Sequence, residues 1–480
     1  MTIILFAAYM AMITMTSNAQ SAKFEWARKM GGTNSESGNA IAVDSAGNVY
    51  TAGNFTVTVT FDPLNIIIGS KGFTDVFITK HDASGAILWA KQIGGVSDDL
   101  LRGIAVSGDY VYITGNYNQT CDFDPAGSTT FNITSAGIGD IFVAKYEASS
   151  GGLVWAKSMG GASADLGFGI AVDKSGNVYT TGNFAGSCDF DPGAGSTLLG
   201  SAGSSDIFIS KLDKDGNFEW AKTMGGNGAD GGVSIATDLT GNVYFAGSFR
   251  DSADFDPSAS VLRLKSFGVG DGFVAKYNSM GLMQWAKQLG GTGNEYIEFI
   301  TLDNLNNVIT TGTYENGADF DPGTATFNLS GTGRIFVSKL DNNGSFIWAK
   351  KIGSLGSGER SKSVATDKFG SVYTVGDFSG TQDFDPNSGT ANLTSVGTDV
   401  FISKLDSAGN YNGAYRFGGA GADIGNGIAA SQDGNIYSTG SFFDTCDFDP
   451  SAAIFNLIGS GSNDILCTNS ANVLSIKRLH

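Results

Sequence analysis

Short apolar runs separated by turn signals recur along the whole chain. Residues 169–224 show the pattern in full. Gly169-Ile170-Ala171-Val172 predicts a strand, and Asp173-Lys174-Ser175-Gly176 a tight turn, with Asp as side-chain acceptor and Gly for a positive φ. Asn177 to Phe184 predicts a second strand and Asp206 to Leu212 a third. After the turn Asp213–Gly216, Asn217 to Met224 predicts a fourth. Cys188 to Ser205 reads as a longer connection. Several runs are apolar on both faces, which suits sheets covered on both sides.

The same unit returns about every 65 residues. All six tryptophans occupy one phase: Trp26, Trp89, Trp155, Trp220, Trp285 and Trp348, each followed by Ala and then Lys or Arg. A Gly-Gly pair follows, replaced once by Gly353-Ser354. A seventh copy has Gly413 in the Trp slot and ends in Gly418-Gly419. All seven prolines occupy a second phase, closing Phe-Asp-Pro at Pro63, Pro125, Pro192, Pro257, Pro322, Pro386 and Pro450. Four short antiparallel strands repeated in this way predict an all-β fold, a seven-bladed β-propeller. The repeat begins with a lone fourth strand, Lys23 to Met30, and ends on first, second and third strands at 427–430, 435–442 and 464–468. Joining the two ends would complete blade seven (427–469 plus 23–32) and remove two exposed sheet edges. The tail Val473–His480 is the other candidate for that strand, and it lacks both Trp-Ala-Lys and Gly-Gly.

The motifs DSAGNVYTAGNF, DIFISKLDKDGNFEWAKTMGG and SCDFDPGAGS resemble the SBBP β-propeller repeats of secreted bacterial proteins. The resemblance covers residues 23 to about 469. It implies a propeller and export, and no reaction.

Residues 1–19 predict a secretory signal: an uncharged apolar run, Ile3 to Met15, then small residues at Ser17 and Ala19 before Gln20, though no basic residue opens it. The division expected is a signal at 1–19, a propeller at 20–470 and a tail at 471–480. The location expected is secreted, cell-surface or periplasmic. No later segment is apolar and long enough to span a membrane. The formal net charge of −18 argues against nucleic-acid partners. The partner expected is a protein or glycan at the cell exterior, met by a monomer.

Three groups of residues are candidates for chemistry. An acid follows each Gly-Gly: Glu36, Asp99, Asp165, Asp230, Glu295 and Asp423, with Glu359 one residue later. These are expected in loops near the channel mouth, as a ligand ring or as acceptors for loop N–H groups. Carboxylates 10 Å apart in water repel by only ~0.4 kcal/mol, so such a ring does not demand a ligand. Second, the paired acids of Asp-Phe-Asp-Pro point the same way in an extended chain, as Ca²⁺ ligands or as turn caps. They are Asp122 and Asp124, Asp189 and Asp191, Asp254 and Asp256, Asp319 and Asp321, Asp383 and Asp385, and Asp447 and Asp449. Ca²⁺ is the one cofactor they suggest. Third, Arg102, Tyr296, Glu298, Glu359, Arg360 and Lys362 break the repeat; Tyr296, Glu298, Glu359 and Arg360 form the best asymmetric patch. The third-strand lysines (Lys80, Lys145, Lys211, Lys276, Lys339, Lys404) are expected to pair with acids.

With two histidines in no distinctive motif, a Ser-His-Asp centre has no support. Cys446 with Cys467 is the one disulfide that a single blade permits. The favoured function is a non-enzymatic binding or structural scaffold presenting the channel-mouth face; the alternative is a glycosidase or lyase acting through acids there.

Overall fold

The computed structural model describes residues 23–61, 66–127, 129–315, 317–329, 334–353, 358–431, 434–451 and 453–471. The signal expected at 1–19, Pro63 and residues 472–480 lie outside them. The chain is all-β and built of four-stranded antiparallel meanders. The first strands of successive units are Ser37–Val43, Asp99–Ser107, Asp165–Val172, Gly231–Thr237, Tyr296–Leu302, Arg360–Thr366 and Ile424–Ala430. In the third unit, Val178–Phe184, Asp206–Leu212 and Phe218–Gly226 follow in antiparallel register. The first strand begins at Asp165, earlier than the Gly169 expected. It continues through Gly167-Phe168-Gly169, where a β-bulge shifts the register. The glycines there are strand residues under close approach from Ile141 and Ser234, not loop residues.

The connection expected over Cys188–Ser205 carries two further strands, Ser187–Asp189 and Leu198–Gly200. This arm leaves its own unit and pairs with the fourth strand of the preceding one, Gly160 opposite Asp189 and Gly161 opposite Cys188. The same crossing recurs at Gly94–Asp122, Gly225–Asp254, Gly290–Asp319 and Gly418–Asp447. Each Gly-Gly is therefore sterically required. A Cβ on Gly161 would lie 1.9 Å from the Ser187 carbonyl oxygen, and one on Gly160 2.2 Å from Asp140 Cγ.

The tryptophan motif is a second inter-unit clamp. Trp155 Nε1 donates to the Lys214 carbonyl at 3.3 Å, in the turn before the fourth strand of the next unit. Its ring lies on Gly216, whose φ of 80° also calls for glycine. Lys145 Nζ donates to the same carbonyl at 2.9 Å. Trp89 with Lys80, Trp220 with Lys211, Trp285 with Lys276 and Trp348 with Lys339 repeat the arrangement. These five lysines thus serve a neighbour's backbone carbonyl rather than the acids expected, and Lys339 adds a 2.8 Å ion pair with Asp303.

The N-terminal strand Lys23–Gly31 pairs with Asn456–Ala471, from Lys23 opposite Ala471 to Met30 opposite Ile465. Its Trp26 donates to Ala83 O at 3.0 Å, and Met30-Gly31 pairs with Thr60-Phe61 of the first unit's arm. The first strands contact one another in chain order, and Ser37–Val43 also contacts Ile424–Ala430. Seven apolar clusters each span two consecutive units, one of them joining Trp26, Met30, Tyr437 and Ile465 to Val49, Phe55 and Phe77. The arm's Phe is a recurrent core member: Phe123, Phe190, Phe255 and Phe320 are fully buried. All four cysteines are buried and free, so the Cys446–Cys467 bridge is not formed.

Candidate functional site

The acids after Gly-Gly lie inside the protein, not on its surface. Glu36, Asp99, Asp165, Asp230, Glu295, Glu359 and Asp423 are all buried, none more than 4% exposed. Six accept the N–H of the residue four back: Gly95 donates to Asp99 Oδ2 at 2.6 Å and Gly161 to Asp165 Oδ2 at 2.7 Å, with Gly32, Gly226, Gly291 and Gly419 doing the same. Asp230 and Asp423 also accept from Arg250 N and Phe443 N. They cap the crossing between units, the second of the two uses expected of them.

A second acid set stands opposite. Asp140, Asp206 and Asp271 open their third strands and Asp75, Asp399 and Asp464 lie within longer ones, each buried and lying on the first Gly of a Gly-Gly pair. Burial pushes Glu36 up to about 8, Asp99, Asp165 and Glu295 to about 7, and Asp230 and Asp423 to about 6. The opposing Asp of the preceding unit raises each further. Sequence reasoning read this second set only as strand starts. Its signal was present, an Asp before Ile, Val or, once, Gly and then Phe or Leu, broken in the fifth unit by Arg334. That is also the unit whose Gly-Gly became Gly353-Ser354.

The Asp-Phe-Asp-Pro acids sit in the arms and bind backbone. Asp189 Oδ1 accepts from Asp191 N at 3.1 Å and Thr197 N at 2.8 Å; Asp191 Oδ1 accepts from Gly193 N at 2.8 Å. Asp122, Asp254, Asp319, Asp383 and Asp447 repeat the first pattern, and Asp124, Asp256, Asp321, Asp385 and Asp449 the second. Among the described residues no three His, Cys, Asp or Glu side chains are grouped to hold a metal ion.

The asymmetric patch divides. Glu359 is buried; Tyr296 is 39% exposed; Arg360 is exposed, its Nε 3.9 Å from Asp377 Oδ2. Glu298 instead lines a cavity of about 440 Å³ walled by the first strands of all seven units. Its lining includes one bulged residue from each unit's first strand. They are Asn39, Arg102, Phe168, Val233, Glu298, Lys362 and Asn426. A bulge turns an extra side chain away from the ladder, here into the cavity. Arg102 lies over the Phe168 ring, 5.3 Å from its centroid. Asn39 Nδ2 donates to Leu101 O at 3.1 Å and Asn426 Nδ2 to Gly38 O at 3.0 Å, each reaching the next unit. Asn39, Phe168, Val233 and Asn426 were not among the expected site residues. Their one signal was variability at a fixed phase of the repeat.

Four-stranded meanders clamped edge to edge, with a cavity among their first strands, define a β-propeller repeat protein. More particularly, the chain carries the SBBP β-propeller repeat, matched at residues 25–54, 154–183 and 414–441. It is 26% identical over 439 residues to the "Uncharacterized WD repeat-containing protein L264" of Acanthamoeba polyphaga mimivirus, covering 74% of this chain. It is 22% identical over 262 residues to the "Regulatory protein FlaEY" of Caulobacter vibrioides, covering 51% of this chain. The matched regions span 31% and 26% of those relatives' lengths. Similar solved structures include the RRP9 WD40 repeats (TM-score 0.45, 11% identity, 94% of this chain, 99% of that one) and U3-55K (TM-score 0.46, 12% identity, 93% and 99%). No helix among the described residues is long and apolar enough to cross a membrane.

Proposed function

We propose that the seven units close into one propeller ring, with Lys23–Gly31 as the fourth strand of the last blade, and that the ring is a non-enzymatic binding scaffold. The reading of function rests on one observation: the bulged cavity residue differs between units while the residues that clamp the units repeat. A purely architectural ring has no use for that variation. The WD-repeat-containing relative agrees with a scaffold. Catalysis by paired carboxylates is disfavoured, because Glu298 is the one carboxylate among the cavity-lining residues.

In this reading the recognition surface is the end of the ring around the cavity, met by a protein or glycan outside the cell after the leader is removed. A glycan array and a peptide panel, read for binding and cleavage in parallel, test it. Binding without turnover, weakened by substitutions at the bulged positions, supports the scaffold. Turnover abolished by Glu298→Gln replaces it with an enzyme.

A further inference from the structure

Resting on the closed-ring reading, we propose that the cavity binds a small organic monoanion, a carboxylate with an apolar body, held by Arg102 and Lys362. The chain as a whole carries −18, yet the charged cavity walls carry Arg102 and Lys362 against Glu298 alone. Anion binding by this protein therefore needs a local cause, since its long-range field repels anions. Among the described residues Arg102 has no ion pair, and it lies over the Phe168 ring. Arg102 is exposed at the cavity, so its guanidinium fork is open to a ligand, and a carboxylate would meet it through two parallel N–H···O bonds.

The rest of the wall selects the body of the ligand. Phe168 and Val233 stand beside Arg102 in ring order, with Ile170, Ile235 and Phe299 also lining the cavity. About 440 Å³ lies in the range of small-ligand sites. Glu298 sits next to Lys362 in ring order and holds the tally to one negative charge, because a second carboxylate would meet it.

The probes are phenylacetate, its neutral isostere phenylacetamide, and phenethylamine, titrated into the full chain by calorimetry and by ligand-observed NMR. Phenylacetate is expected to bind, the amide about tenfold or more weakly, and the amine not at all, since charge-assisted bonds supply the difference. Arg102→Gln should weaken phenylacetate by about tenfold or more. Arg102→Lys should lose less, Lys362→Gln should also weaken it, and Glu298→Gln should leave it as tight or tighter. Each variant is compared at an unchanged melting midpoint. Equal binding of anion and amide overturns the proposal, as does unchanged binding in both Arg102→Gln and Lys362→Gln. Hydrogen exchange separates the two ways of failing. A protected 23–31 with no binding removes the anion site alone, and an unprotected 23–31 removes the ring and the cavity together.

Discussion

Trp26 offers a quantitative test of ring closure. It stands in the N-terminal strand, 5% exposed, and donates to Ala83 O at 3.0 Å. Trp155, within a continuous unit, is 9% exposed and makes the same bond to Lys214 O at 3.3 Å. Burying a Trp removes roughly 200 Å² from water, about 5 kcal/mol at 25 cal/mol per Å². Truncation to Ala is expected to cost about 3–5 kcal/mol at either site, and Trp→Phe about 1 kcal/mol or slightly more for the lost N–H donor. If Lys23–Gly31 is an integral blade strand, Trp26→Ala and Trp155→Ala should destabilise equally within about 1 kcal/mol. Guanidinium unfolding followed by circular dichroism measures both. Trp26→Ala near wild type beside a costly Trp155→Ala would refute closure by this strand. In that case the tail at 473–480 becomes the candidate.

The buried acids set a pH dependence. Burial favours the protonated form of Asp165, with a pKa of about 7 in the fold against about 4 unfolded. Its contribution is therefore complete below about pH 4 and lost as pH rises through 7. Asp165→Asn should match wild type at pH 4, gain on it by up to about 1.4 kcal/mol per pH unit between pH 4 and 7 and level off above; parallel melting curves from pH 4 to 8 would contradict this. Gly160→Ala should destabilise by about 1–3 kcal/mol through contact with Asp140, and Asp140→Ala in the same chain should recover part of it. Asp189→Ala, which strands two N–H donors, should cost about 1–3 kcal/mol with or without added Ca²⁺. A wild-type melting midpoint that rises with Ca²⁺ and falls with EDTA, lost in that variant, would instead make the arm a metal site. The four thiols should react with a thiol reagent only after unfolding.

The sequence by itself determined the period, the strand order within a unit and the out-of-phase ends. These are local signals: alternation and apolar runs over a few residues, Asp–Gly turns, and tryptophans and prolines held to fixed phases. What joins one unit to the next was decided only in three dimensions. The Asp-Phe-Asp-Pro arm pairs with the preceding unit's Gly-Gly through backbone groups, which carry no residue identity. The opposing acids, Asp99 against Asp75 and Asp165 against Asp140, come from different units.

The closed-ring reading also accounts for an irregularity that the sequence only displayed. Gly413 replaces Trp in the sixth unit's fourth strand. Every Trp donates to the turn between third and fourth strands of the next unit. On the closed-ring reading the last unit's third and fourth strands are Asn456–Ala471 and Lys23–Gly31, and among the described residues no turn joins them to receive it. The cavity wall was hidden for a related reason. A bulge reverses which face a side chain takes, and alternation counted along a strand cannot show where that reversal falls.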